Sequence, residues 1–209
     1  MKIFICGQRS FGLAVLKRLL TDGHKIVGIA PPPQMRLKDK MVGYALAQKI
    51  PIISDCDRLT AALVPDETEL VISAHSHWII SQKIVDKCRF GGIGFHPSLL
   101  PLHRGRDAVR WAVYMGDRVT GATVYALNDK CDGGDIVLQR LHFIRPGIDY
   151  HKLWAELFPV GVDMVSEAVR LIERGAATYT PQDEACATWE PAWESPRLKR
   201  NDLIQIGGG

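Results

Sequence analysis

The residues best suited to chemistry fall in two short polar stretches. GFHPSLLPLHRGR, residues 94–106, sets His96 and His103 among prolines and glycines, between two apolar runs. An imidazole titrates near neutrality, so it can donate a hydrogen bond to a developing anion or move a proton. Pro97 and Pro101 restrict the backbone beside His96 and limit how far that side chain can wander. The second stretch, DKCDGGDI, holds Asp129, Asp132 and Asp135 around Gly133 and Gly134. Its spacing does not match an EF-hand loop, and Asp with Gly is also ordinary hairpin-turn composition. A carboxylate brought beside His96 would orient the ring, but separation along the chain does not show that the two meet.

Other candidates carry less. SAHSHWII places His75 and His77 just beyond a strand-like run, and His-x-His can begin a metal site. No His, Asp or Glu cluster at ligand spacing accompanies it, so no metal is expected. Five cysteines (Cys6, Cys56, Cys88, Cys131, Cys186) are odd in number and lack a Cys-x-x-Cys pair, which points away from a disulfide framework or structural zinc. GQRSFG, residues 7–12, is neither the dinucleotide fingerprint nor a phosphate-binding P-loop and reads as an ordinary strand-to-helix turn.

The elements that must position these residues alternate regularly. KIFIC, HKIVGIA, IPIIS, ELVISA and GGIGF read as buried strands. LAVLKRLLTDG, MVGYALAQK, LTAALV, SQKIVDKC and DAVRWAVYMGD have helical spacing. Strand, helix and strand in turn predict βαβ units and a parallel sheet. His96 then lies at a strand's carboxyl end, where such sheets bind ligands. TGATVYALN and DIVLQRLHFI are alternating strands joined by DKCDGG, a late antiparallel hairpin. YHKLWAELFPVGVDMVSEAVRLIERG is the longest helical pattern, with a break expected near Pro159. From Ala176 onward periodicity fades, and the chain reads as a surface tail. The division expected is a catalytic domain over residues 1–180 and a C-terminal tail over 181–209. The fold class is α/β: a Rossmann-like, mostly parallel sheet flanked by helices.

Bulk properties bound the function. A chain of 209 residues can bury a core without staples. The formal net charge of +3 is mild, and no basic stripe suggests nucleic acid. No apolar run approaches the roughly 20 residues of a membrane span. Met1 leads straight into a strand with no leader pattern, so a cytoplasmic setting is expected.

Taken together, these residues resemble the folate-dependent formyltransferase family, whose members share a Rossmann-like formyl-transfer domain. The family signature is Asn-x-His-Pro-Ser-Leu-Leu-Pro followed by an Asp-x-Gly turn. Here HPSLLP is complete from His96 to Pro101, HRG follows, and CDGGDI supplies Asp132. Within the family the chain looks most like the hydrolase domain of 10-formyltetrahydrofolate dehydrogenase. That likeness runs through MKIFICGQRSFG, LFPVGVDMV, AVRLIERG and PQDEACATWE, nearly the whole chain. One position departs: the transferases carry asparagine two residues before the histidine, and this chain has Gly94. The hydrolase domain has an apolar residue there.

The resemblance implies transfer of a formyl group from 10-formyltetrahydrofolate, a cosubstrate, to the amine of a small-molecule acceptor. Water as acceptor, releasing formate, is the alternative. It implies that His96 stabilises the oxyanion and that Asp132 orients His96 and takes a proton. Asn128, Asp129, Ser98 and His77 are the implied folate contacts, with His77 also a substitute for the missing amide. Arg104 is expected to brace the loop. A methionyl-tRNA acceptor is disfavoured by the short chain without the added barrel domain, and glycinamide ribonucleotide by the GQRSFG turn. Without an aldehyde dehydrogenase portion, the dehydrogenase reaction is not expected. A folate-binding protein without turnover is a third reading, disfavoured by intact His96 and Asp132. A homodimer through Trp189 and Trp193 is compatible with the sequence, as is packing of both on the domain itself.

Overall fold

A computed structural model describes residues 1–33, 39–53 and 56–193. The strands are β1 (Lys2–Gly7), β2 (Lys25–Ala30), β3 (Leu70–Ala74), β4 (Gly92–His96), β5 (Val119–Ala126) and β6 (Ile136–Phe143). They form one sheet in the order β2-β1-β3-β4-β5-β6. The pairs β1·β2, β1·β3 and β3·β4 are parallel, whereas β4·β5 and β5·β6 are antiparallel. The helices are α1 (Arg9–Thr21), α2 (Lys40–Ala47), α3 (Gln82–Lys87), α4 (Ala108–Met115) and α5 (Tyr150–Glu173). The α/β architecture expected from the alternation, with its late hairpin, is the one observed.

Helical spacing explains the layers. Phe11, Val15, Leu16 and Leu19 of α1 are buried, as are Leu153, Leu157, Met164, Val165, Ala168, Val169 and Ile172 of α5. Ile3, Ile5, Leu70 and Ile72 join the α1 residues and Met164 to Ile172 of α5 in one core cluster, while Leu153 and Leu157 pack with Val109 and Ala112 of α4 in another. Phe95 stacks on Phe11 with ring centroids 4.6 Å apart. Each such fully buried side chain contributes roughly 1.5–3 kcal/mol. Phe95 alternates with Gly94 and His96, so anchoring Phe95 in the core turns its two neighbours to the opposite face of the sheet.

Three local expectations are corrected. The break near Pro159 does not occur: α5 runs unbroken through Pro159, which sits on the exposed side, where the carbonyl it leaves unpaired can be hydrated. LTAALV forms only a 3-10 turn, Ala61–Leu63, because Leu59 and Val64 bury on either side and Pro65 follows directly. IPIIS contributes a single bridge, Ile52 to Ile29, rather than a strand. Residues 176–193 lie across the surface and are bonded to the sheet and to the loop after β4. Thr180 pairs with Ile136, and Arg104 with Trp189. Trp193 packs edge-on against Trp111 and Tyr114 of its own chain. Among the described residues, no helix is long and apolar enough to cross a membrane.

Candidate active site

His96 ends β4, its backbone paired with Thr123 of β5, and is only 5% exposed. Its Nε2 lies 2.6 Å from the His103 carbonyl oxygen. A carbonyl only accepts, so Nε2 carries a proton and donates. That bond sets the ring, and Nδ1 faces Asp132, 3.6 Å from Oδ2. The loop between His96 and His103 is held internally. Ser98 Oγ donates to the Leu102 carbonyl at 2.6 Å. Thr123 Oγ1 donates to the Ser98 carbonyl and accepts from the Leu100 amide. Gln139 Nε2 closes on the Leu100 carbonyl at 2.9 Å. The Leu100–Pro101 peptide is cis.

Asp132 comes from the connection between β5 and β6. Because β5 runs antiparallel to β4, this connection leaves the sheet beside Gly92, where the Leu127 amide bonds the Gly92 carbonyl. It then curls back until Asp132 reaches His96. Glycine is required in the curl, since a Cβ on Gly134 would stand 1.7 Å from the Ala126 carbonyl oxygen. Asp132 has left-handed backbone, φ 51°. Its Oδ2 accepts from the Gly105 amide at 2.8 Å, and its Oδ1 from the Tyr125 hydroxyl at 2.6 Å. Gly105 itself has φ 91°, and a Cβ there would meet the Trp189 ring at 3.2 Å, so this position too favours glycine.

The space above Gly94 is filled. Tyr125 is its cross-strand partner, and a Cβ on Gly94 would lie 2.6 Å from Tyr125 Cζ. Burial first, then the Asp132 charge, pushes the Tyr125 phenol well above its ordinary range, so it remains a donor.

The segment after α5 braces both chemical residues. His103, whose carbonyl holds His96, is itself held between two carboxylates. Its Nε2 lies 2.7 Å from Asp117 Oδ2, and its Nδ1 lies 3.0 Å from Glu190 Oε1, an ion pair off the hydrogen-bonding angle. Burial pushes the His103 pKa down, but the two carboxylates outweigh it and raise it to about 9. Thr188 Oγ1 accepts from the His103 amide at 2.8 Å. Gln182 Nε2 donates to the carbonyls of Asp132 and Gly134, and its Oε1 accepts from Arg104. Arg104 is 3% exposed and also pairs with Glu184, the bracing role expected of it.

The remaining expected site residues are dispersed. Ser98 is fully buried, its hydroxyl committed to the loop. Asn128 is half-buried and caps the Lys130 amide, and Asp129 is exposed beside it. His77 is exposed with its ring edge-on to Trp78, and His75 faces Trp154. Among the described residues, no group of three or more His, Cys, Asp or Glu is placed to hold a metal. Sequence reasoning missed Tyr125, Gln182 and Glu190, and it gave His103 no role of its own. Strand alternation puts Tyr125 on the same face of β5 as Thr123, but nothing in the sequence tied that face to His96, and for Gln182 and Glu190 there was no signal at all. Among the described residues, five of the six non-glycine residues with left-handed backbone (Arg9, His75, His103, Asp107, Asp132) lie in the segments that follow β1, β3, β4 and β5. Strained backbone gathers in this way at functional sites.

A family model described as "Formyl transferase" matches residues 1–169. The chain is 35% identical, over an alignment 213 positions long, to the cytosolic 10-formyltetrahydrofolate dehydrogenase of Xenopus laevis, covering 96% of this chain and 24% of that protein. It is 31% identical over 206 aligned residues to a methionyl-tRNA formyltransferase of Acidobacterium capsulatum, covering 91% of this chain and 65% of that protein. The chain thus spans about a quarter of the length of the dehydrogenase it matches. Among solved structures, an N-formyltransferase from Helicobacter canadensis, in complex with folinic acid and dTDP-3-aminofucose, superposes with a TM-score of 0.73 at 17% identity, over 97% of this chain and 72% of that one.

Proposed function

The chain belongs to the formyl transferase family, and from that premise we propose that it moves the formyl group of 10-formyltetrahydrofolate to the amine of a small-molecule acceptor. The observation that carries this reading is the meeting of His96 and Asp132, Nδ1 to Oδ2 at 3.6 Å, from segments 36 positions apart.

The acceptor nitrogen uses its lone pair to form a bond to the formyl carbon, and the carbonyl π pair moves onto oxygen. With the Nε2 proton committed to the His103 carbonyl, His96 can donate to that oxygen only from Nδ1, and therefore only as imidazolium. A preorganised donor of this kind is worth about 3–4 kcal/mol. Asp132 takes the proton that the acceptor nitrogen sheds, directly or through a water. An oxygen lone pair then re-forms the C=O bond as the bond from the formyl carbon to the folate nitrogen breaks; that pair of electrons stays on nitrogen, which takes up the proton Asp132 collected, directly or through a water. The products are the formylated amine and tetrahydrofolate, with no covalent enzyme intermediate.

In this reading Asn128, Asp129 and His77 are folate contacts, and Ser98 supports them by shaping the loop. The Helicobacter protein, whose complex holds a folate and an amino sugar, is the analogy for both substrates.

Hydrolysis, with water in place of the amine, is the second reading. Gly94 favours it, because no amide at that position polarises the formyl carbonyl. One assay separates the two: tetrahydrofolate release from 10-formyltetrahydrofolate alone, then with a panel of small amines, in the wild type and in His96→Ala. Amine-dependent release, lost in the variant, supports transfer and names the acceptor. Amine-independent release supports hydrolysis, and no release under any condition refutes both.

A further inference from the structure

We propose that Tyr125 is a positioning residue of this site, its hydroxyl set in the space that Gly94 leaves and holding Asp132 in the orientation that faces His96. The kinetic consequence rests on the formyl-transfer reading; the structural one does not.

Three features of the fold carry it. Gly94 and Tyr125 are directly paired across the antiparallel β4·β5 ladder, so their side-chain positions share one face with His96 and Thr123. The Tyr125 ring lies across Gly94, where a Cβ would meet Cζ at 2.6 Å and the hydroxyl at 2.7 Å. Any side chain at position 94 would displace this ring, so the glycine and the tyrosine form a matched pair. The hydroxyl then donates to Asp132 Oδ1 at 2.6 Å, while the Gly105 amide occupies Oδ2 at 2.8 Å. One donor leaves a carboxylate free to swing about its Cβ–Cγ bond. Two donors on different oxygens stop the rotation and keep Oδ2, which the Cys131 thiol also approaches at 3.6 Å, on the side of His96 Nδ1, 3.6 Å away. Tyr125 is 5% exposed, so water does not compete for this bond. The amide that the transferases carry two residues before the histidine would fall on this same spot, and here a phenol from the next strand takes the space.

Tyr125→Phe keeps the ring that fills the space over Gly94 and deletes only the oxygen. Its kcat is expected to fall on the order of 10- to 100-fold, with KM for the formyl donor unchanged, because the loss is one of orientation rather than of binding. Gly94→Ala pushes the ring away with its hydroxyl intact and should fall similarly. The double variant should be no worse than the worse single one, since both act through one hydrogen bond. A second readout needs no activity: the ¹⁵N resonances of His96. In Tyr125→Phe the Nδ1 resonance should move, while Nε2, tied to the His103 carbonyl, should stay. An unchanged kcat or an unmoved Nδ1 resonance overturns the inference, as does a loss that appears in both kcat and KM together with a lowered unfolding midpoint. If the wild type shows no turnover, the transfer reading fails on its own, and the Nδ1 resonance alone decides the role of Tyr125.

Discussion

At the scale of single residues, the site works through which atom faces which. His96 commits one nitrogen to the backbone and keeps the other, 3.6 Å from Asp132, for the reaction, so its chemical role follows from the His103 carbonyl as much as from the ring itself. Asp132→Asn keeps the size and removes the basic oxygen. Tetrahydrofolate release should drop about 100- to 10,000-fold, with the thermal midpoint little changed, and retained release would refute the base role. Ser98 makes a contrasting case. Its buried hydroxyl serves the loop, so Ser98→Ala should cost about 1 kcal/mol in urea unfolding while the KM for the formyl donor stays within twofold. A large rise in KM would instead return Ser98 to the folate contacts. His96 and Asp132 were both legible as candidates from residue type. Tyr125 was not, because a tyrosine in an alternating strand reads as core until its partner is known to be glycine.

At the scale of elements, two connections do the positioning. The curl after β5 carries Asp132 back along the sheet, and it closes only because Gly134 lets the chain pass the Ala126 carbonyl. Gly134→Ala should therefore lose about 3 kcal/mol or more of stability by overpacking against backbone. Gly147→Ala is the control. It has the left-handed φ of 75° but nothing within 4 Å, so its cost should be about 1–2 kcal/mol. Urea titrations of the two variants compare them directly, and equal losses would refute the close-approach account. The second connection is the segment 180–193, which ties the loop after β4 through Thr188 to His103, Glu190 to His103 and Gln182 to Arg104. Its irregular, proline-rich sequence gave no periodicity from which those bonds could be read.

At the scale of the whole molecule, the His103 cluster couples stability to pH. His103 is raised from 6.5 to about 9 in the folded protein by Asp117 and Glu190, against the effect of burial. Below about pH 6.5 the unfolded chain is protonated there as well, and the full stabilisation is present. As pH rises toward 9 the unfolded chain gives up its proton first, so the stabilisation shrinks and is gone above the folded value. The effect is about 3 kcal/mol, and it joins residues from the loop after β4, the end of α4 and the C-terminal segment. Thermal midpoints measured from pH 6 to 9.5 should fall more steeply for the wild type than for His103→Gln. Parallel curves would show that the cluster contributes no linkage.

The sequence by itself determined the α/β class, the strand that presents His96 and the turn that contains Asp132, because hydrophobic period, glycine and proline are local signals. It also carried the likeness to the formyl transferase family through one rigid motif, HPSLLP, and one turn. Only the tertiary structure decided that Asp132 folds back onto His96, that Tyr125 fills the space over Gly94, and that residues 180–193 hold the loop in place. Each of these depends on contacts between segments distant in the chain. Such contacts are set by the antiparallel register of β4 and β5 and by the packing of Phe95 into the core, and no spacing along the sequence encodes them directly.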